Sequence, residues 1–388
     1  MSNLVKYVDR VGTDCNKWDS MDARFGDNDL MALWVADMDF KVPQCAIDAA
    51  VKYAEFGIYG YYKVPNEYHQ AFIDWEKKYH NCEIKKEWLR FSPGVVSPIN
   101  WYVNMKTKPG EAVIVMTPVY YPFLDAINNN GRKLVSSDLI NNGGVYTVNF
   151  EDFEQKIVDN NVKLFILSSP HNPVGRVWKR EELEQMLAIC RKHGVFVVAD
   201  EIHHDLIMPG HEHTEILNIP GYTDMVVAIT AGSKTFNLAG CQNSFVILPD
   251  EKLRAEYDEF LNSIRIKGGS AFGYVAVAAA FRGGREWLEE VISIVKENAD
   301  YIKNTLAEKL PKAVVSPLEG TYLLWVDLGA YVEEGKMKEF IQDKCRLAVD
   351  YGDWFGGDRF GGHVRFNLAT SKENIVEAVD RIVKNAKA

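Results

Sequence analysis

Four short apolar runs, at residues 112–116, 164–167, 195–199 and 225–229, each stop abruptly in polar, Gly or Pro residues. Short runs rich in Val and Ile and bounded by such breakers suit strands covered on both faces, which means a parallel sheet. Between the second and third runs, residues 179–193 place Leu183, Met186, Leu187 and Cys190 at helical spacing among charged residues. Strand, helix and strand then form one crossover unit of ordinary size. A similar interval separates the third and fourth runs, so the alternation is expected to continue as an α/β core.

The texture changes after about residue 285. An amphipathic helix is expected over 286–309, an apolar stretch over 321–328, a charged helix near 333–344 and a closing helix over 372–387. The expected organisation is a large domain over 46–284, with a mostly parallel sheet flanked by helices, and a smaller α+β domain from 1–45 plus 285–388. Its 44 basic and 54 acidic residues are scattered, with a net charge of −10, which argues against a nucleic-acid surface. No apolar segment has the pattern of a secretory signal or reaches the ~18 residues of a membrane span. The six cysteines are widely spaced without a CxxC pair, so reduced thiols and a cytoplasmic location are expected.

In open α/β sheets, ligands bind beyond the carboxyl ends of the strands. There the chain places Thr117-Pro118-Val119-Tyr120-Tyr121, Ser168-Ser169-Pro170-His171-Asn172-Pro173-Val174-Gly175, Asp200-Glu201-Ile202-His203-His204 and Thr230-Ala231-Gly232-Ser233-Lys234. Lys234 alone would be surface decoration. In a desolvated pocket its amine would have a lowered pKa and condense with an aldehyde. The aldehyde cofactor that uses such a lysine is pyridoxal phosphate, which also needs an acidic partner at its pyridine nitrogen. Asp200 can be that partner, or equally a helix N-cap.

A phosphate requires a glycine turn and free helix N–H groups. Ser92-Pro93-Gly94-Val95-Val96-Ser97-Pro98 offers both, leading into an expected helix over 99–106, and Ser233 can add a hydroxyl. Asn172 can reach the cofactor's phenolic oxygen or serve only as a turn residue. Tyr120 can lie on the ring face or belong to the core. Arg365, in strand-like alternation within His363-Val364-Arg365-Phe366-Asn367, can clamp a carboxylate or form a surface ion pair.

Taken together, Ser233-Lys234-Thr235-Phe236-Asn237-Leu238-Ala239-Gly240, the Asn172 and Asp200 segments and Val364-Arg365-Phe366-Asn367 resemble the fold-type-I pyridoxal-phosphate enzymes of the class I/II aminotransferase superfamily. Leu33-Trp34-Val35-Ala36-Asp37-Met38-Asp39-Phe40, Tyr59-Gly60-Tyr61, Thr117-Pro118-Val119-Tyr120-Tyr121-Pro122-Phe123 and Glu319-Gly320-Thr321-Tyr322-Leu323-Leu324-Trp325 resemble its MalY/PatB-type carbon–sulfur lyase branch. The resemblance implies that Lys234 attaches the cofactor, Asp200 pairs with the pyridine nitrogen, Asn172 meets the phenolic oxygen and Tyr120 stacks on the ring. It further implies that Val95, Val96 and Ser233 hold the phosphate with Tyr61 of a second subunit, so the enzyme would be a homodimer. His203 would support the cofactor beside Asp200, and Arg365 would bind the substrate carboxylate. Gln242 and Ala231 stand where many relatives have an arginine and a serine, which removes two phosphate contacts of the ordinary aminotransferase kind.

The activity so implied is cleavage of L-cystathionine or related cysteine S-conjugates to a thiol, pyruvate and ammonia. The alternatives are an aminotransferase and a regulatory protein that retains the scaffold. No metal site is expected, because His203-His204 and His211-Glu212-His213 lack a complete ligand set at zinc spacing. The aromatic cluster Tyr53, Phe56, Tyr59, Tyr61, Tyr62 and Tyr68 reads as a subunit interface or pocket wall.

Overall fold

The computed structural model describes residues 4–386, so Lys387, expected to end the closing helix, lies outside them. The main sheet is built from β1 (Leu89–Ser92), β2 (Ala112–Thr117), β3 (Lys133–Asp138), β4 (Leu164–Ser168), β5 (Phe196–Asp200), β6 (Val226–Thr230) and β7 (Ser244–Ile247). Their order is β1-β7-β6-β5-β4-β2-β3. Strands β2 to β6 run parallel, while β7 is antiparallel to both its neighbours. Every residue of β2, β4 and β6 is buried, which explains why these strands read as unbroken apolar runs: helices cover both faces.

The helix Arg180–His193 joins β4 to β5 as expected, beginning after Lys179 and ending at Gly194 in the left-handed region (φ +67°). The expected alternation fails at the next crossover. Between β5 and β6 the chain forms no α-helix, only the single 3-10 turn Ile216–Asn218, because Pro209-Gly210 and Pro220-Gly221 interrupt any helical run. This irregular loop carries seven of the ionisable side chains discussed below.

A second, antiparallel sheet contains β8 (Val314–Val315), β9 (Leu323–Asp327), β10 (Asp350–Tyr351) and β11 (His363–Asn367) in the order β8-β9-β11-β10. The helices Arg285–Lys309 and Lys372–Ala386 bury Val295, Ile302 and Leu306, and Ile375, Val379 and Ile382, respectively. The helix expected near 333–344 is shorter and wider. The Lys336 N–H closes a turn onto the Glu333 carbonyl at 2.9 Å, Gly335 has φ +77°, and Glu339–Lys344 is wound as a π-helix. Near the amino terminus, Met31–Ala32 pairs in parallel with Leu347–Ala348. No helix of the described residues is long and apolar enough to cross a membrane.

Candidate active site

A cavity of about 240 Å³ lies beyond the carboxyl ends of β4, β5 and β6, where their carbonyl-end loops meet the start of the helix Val96–Lys106. Its lining includes Val95, Val96, Tyr120, Asn172, Asp200, His203, Ser233 and Lys234. Eight of the ten residues singled out in the sequence therefore meet in one place. The other two, Tyr61 and Arg365, do not line it.

Lys234 sits in the one-turn helix Gly232–Thr235 directly after β6. Its amine donates to the Ala36 carbonyl, which also accepts the Tyr322 hydroxyl at 2.8 Å. Two further side chains hold this turn in place. Thr235 Oγ1 donates to Asp205 Oδ2 at 2.7 Å, while Asn237 Nδ2 donates to the Met38 and Phe40 carbonyls at 2.9 Å each. Removal from bulk water pulls the Lys234 amine down to about 8, against opposition from the nearby Asp37 carboxylate. At that value roughly a tenth of the amine is unprotonated at pH 7, far more than for an ordinary lysine, and condensation with an aldehyde needs that free amine.

Asp200 ends β5 and is buried. Its Oδ1 accepts the Ile202 N–H at 3.1 Å, and burial still raises the carboxyl to about 7, with that N–H and Lys234 pulling the other way. The short backbone bond is the N-cap-like arrangement foreseen as the bland alternative, but no helix follows β5. A buried carboxylate so poorly compensated gains from a cationic partner, as a protonated pyridine nitrogen would be. His203 is buried beside it, with Nδ1 lacking a hydrogen-bond partner. Burial, Lys234 and Arg365 depress its basicity far below the usual range, so the ring is neutral.

Asn172 is fixed on three sides. Its N–H donates to Ser168 Oγ at 3.2 Å, its carbonyl accepts the Tyr120 N–H at 3.0 Å, and Oδ1 accepts Arg365 Nη1 at 3.0 Å. Arg365 is fully buried rather than on the surface. Its Nη2 pairs with Asp350, directly opposite on β10, and donates to the Trp34 carbonyl at 3.1 Å. Its Nε has no partner.

At the other end of the cavity, Gly94 has φ +144° with open space where a Cβ would stand, and the first backbone groups of the helix Val96–Lys106 adjoin it. Gln242 lines this region, and the buried Asn243 has Nδ2 without an acceptor. Open space at a glycine, helix N–H groups and an orphaned amide donor together have the makings of an anion cradle. The residues present therefore fit pyridoxal phosphate at both its ends.

The sequence from 28 to 382 matches the model of the aminotransferase class I and II family. The chain belongs to this family. It is 36% identical to cystathionine beta-lyase PatB of Bacillus subtilis over 98% of both chains. Among solved structures, a PLP-bound protein from Clostridium difficile 630, provisionally assigned as an aminotransferase, superposes with a TM-score of 0.95 at 39% identity over the whole of both chains. The PLP-bound C-S lyase of Staphylococcus hominis, in complex with L-cycloserine, gives 0.93 at 31% identity, covering 100% of this chain and 98% of that one. The main sheet and the strand-end cavity are thus those of a fold-type-I PLP enzyme.

Three features of this site leave no signal in the sequence. The Ala36 contact is made by a backbone carbonyl, which any residue could supply. Asn243 is hidden in a strand-edge turn next to Gln242. Asp350 is recognisable only through the register that sets it opposite Arg365.

Proposed function

We propose that this chain is a pyridoxal-phosphate-dependent carbon–sulfur β-lyase that converts L-cystathionine or a related cysteine S-conjugate, with water, to a thiol, pyruvate and ammonia. The observation that carries the reading is the meeting of the Lys234 amine and the Asp200 carboxyl at one cavity, each perturbed in the direction this chemistry uses. The lyase outcome is supported by the relatives named cystathionine beta-lyase and C-S lyase.

When bound, pyridoxal phosphate condenses with amines and accepts electrons released at the substrate α-carbon. Lys234 would carry it, and its amine would remove the proton at the substrate Cα. Asp200 would keep the ring nitrogen protonated and thereby electron-withdrawing. Asn172 would donate to the phenolic oxygen, Tyr120 would cover the ring face and His203 would support it as a neutral imidazole. The amides of Val95 and Val96, with Ser233, would hold the phosphate. Arg365, with Asp350 neutralising one edge and Nε free, binds the α-carboxylate.

The reading includes a homodimer in which Tyr61 crosses to the partner's phosphate site. Tyr61 is fully exposed, and with Phe56, Ile58 and Tyr59 it forms an apolar patch of the kind that marks an interface. We read residues 46–284 as the large domain and 1–45 plus 285–388 as the smaller one. All six cysteines are free, which suits a reducing cytoplasm.

Incubation with L-cystathionine and no keto acid is expected to release pyruvate and homocysteine in equal amounts. Absence of pyruvate, with amino transfer once a keto acid is added, would assign the chain to the aminotransferases instead. For the lysine, adding pyridoxal phosphate to cofactor-free protein, reducing with borohydride and mapping peptides should find the adduct on Lys234. Its rate of formation should climb through about pH 8, the value to which burial lowers the amine; an adduct on another lysine would refute the assignment.

A further inference from the structure

Outside the lining of the cavity lies a second cluster of ionisable groups. Glu76 and His80, one turn apart at the end of the helix Asn66–His80, meet His204, Asp205, His213, Glu215 and Glu201 from the β5–β6 crossover. Six of the seven are buried, and His80 is nearly so. Among the described residues, the four carboxylates form ion pairs only with histidines, and no Lys or Arg joins them. Four acids removed from water without a permanent cation are expensive.

The atom positions are specific. His80 Nδ1 lies 3.4 Å and His204 Nδ1 3.1 Å from Glu215 Oε1. Glu76, His80, His204 and Glu215 each offer a ligand atom, and these atoms all lie within 4.8 Å of one another. Glu76 Oε1, His204 Nδ1 and Glu215 Oε1 are all buried without a hydrogen-bond partner. Ligands held at about 2.0–2.1 Å by a tetrahedral zinc ion stand roughly 3.3–3.5 Å apart, close to the His80–Glu215 and His204–Glu215 separations.

The opposite ring nitrogens are also accounted for. His80 Nε2 lies 2.7 Å from Asp205 Oδ1 and His204 Nε2 lies 3.2 Å from Asp205 Oδ2. Asp205 is itself held by Trp75 Nε1 at 2.8 Å and Thr235 Oγ1 at 2.7 Å. A carboxylate behind each histidine is the usual means of aiming the free nitrogen at a metal. A cavity of about 640 Å³ bordered by His80, His204 and His213 supplies an entry path.

We propose that Glu76, His80, His204 and Glu215 form a binding site for a divalent transition ion, with zinc the best match, oriented by Asp205 and separate from the cofactor cavity. The ion neutralises the buried carboxylates and ties the helix Asn66–His80 to the irregular crossover. Its role is structural, bracing the loop that follows Asp200 and, through Asp205 and Thr235, the turn that carries Lys234. The sequence hid this set because two ligands come from a helix far upstream of the two histidine-containing motifs.

The test uses the purified holoenzyme, cleared with a chelator and equilibrated with Zn2+ alone, with bound metal counted by elemental mass spectrometry. One tightly held zinc per chain is expected. His80→Ala and Glu215→Gln should weaken binding at least tenfold, whereas His211→Ala, an exposed histidine of the same loop, should not. In the wild-type protein, Co2+ should show the intense visible absorption of a four-coordinate ion, and Zn2+ should raise the Tm. These wild-type measurements decide the matter even if a variant fails to fold. No retained zinc, equal loss in His211→Ala, or only the weak spectrum of six-coordinate Co2+ would overturn the site.

Discussion

Lys234→Ala is expected to lower kcat for pyruvate release from L-cystathionine by at least ~10³-fold, because the substitution removes both the cofactor attachment and the base at Cα. The fold should survive, since the Lys234 side chain makes one hydrogen bond, to a carbonyl that Tyr322 also serves. Steady-state kinetics checks the loss, and activity within tenfold of wild type would remove Lys234 from the mechanism. The same variant tests the shared site. Tyr61→Ala should also be inactive, yet mixing the two should restore up to about a quarter of wild-type activity, because half the dimers are hybrids with one intact site. Failure to complement, with subunit exchange verified, would place Tyr61 outside the partner's site.

Asp200→Ala should cost roughly 10²–10³-fold in kcat, the usual scale for removing one preorganised electrostatic group, while the cofactor still attaches at Lys234. Part of the effect should be visible without substrate. The wild-type carboxyl, held near 7 by burial, should ionise fully once a cationic ring nitrogen is beside it. The cofactor absorption of the wild type should then be insensitive to pH over 6 to 8, and that of Asp200→Ala should titrate. Asp200→Glu should recover some activity. Equal kcat in Asp200→Ala and wild type would show that another group protonates the ring.

Much of the site was legible because the sheet is parallel. Strands buried on both faces must be apolar along their length, so each one ends visibly where polar residues begin, and in such sheets those endings share an edge. The pattern alone therefore brings Asn172, Asp200 and Lys234 to one edge. Illegible features depended on register or on distant pairing. Asp350 opposes Arg365 only because β10 and β11 pair as they do, and Glu76 and His80 reach the crossover loop through helix packing that leaves no periodic trace. The missing helix between β5 and β6 was misjudged for a different reason. Spacing alone suggested a crossover helix, while Pro209-Gly210 and Pro220-Gly221 were the stronger local signal.

The strand β11 touches the start of the chain through two residues: Arg365 Nη2 donates to the Trp34 carbonyl, and Asn367 donates from its backbone N–H to the Leu33 carbonyl and from Nδ2 to the carbonyls of Val35 and Asp37. Ala36, which accepts from Lys234, lies between them. The segment that receives the lysine and the strand that positions it come from opposite ends of the described residues. A variant lacking β11 would keep the strands of the main sheet yet lose the brace that sets the Lys234 acceptor, so the surroundings of the lysine depend on the smaller sheet as much as on the larger one.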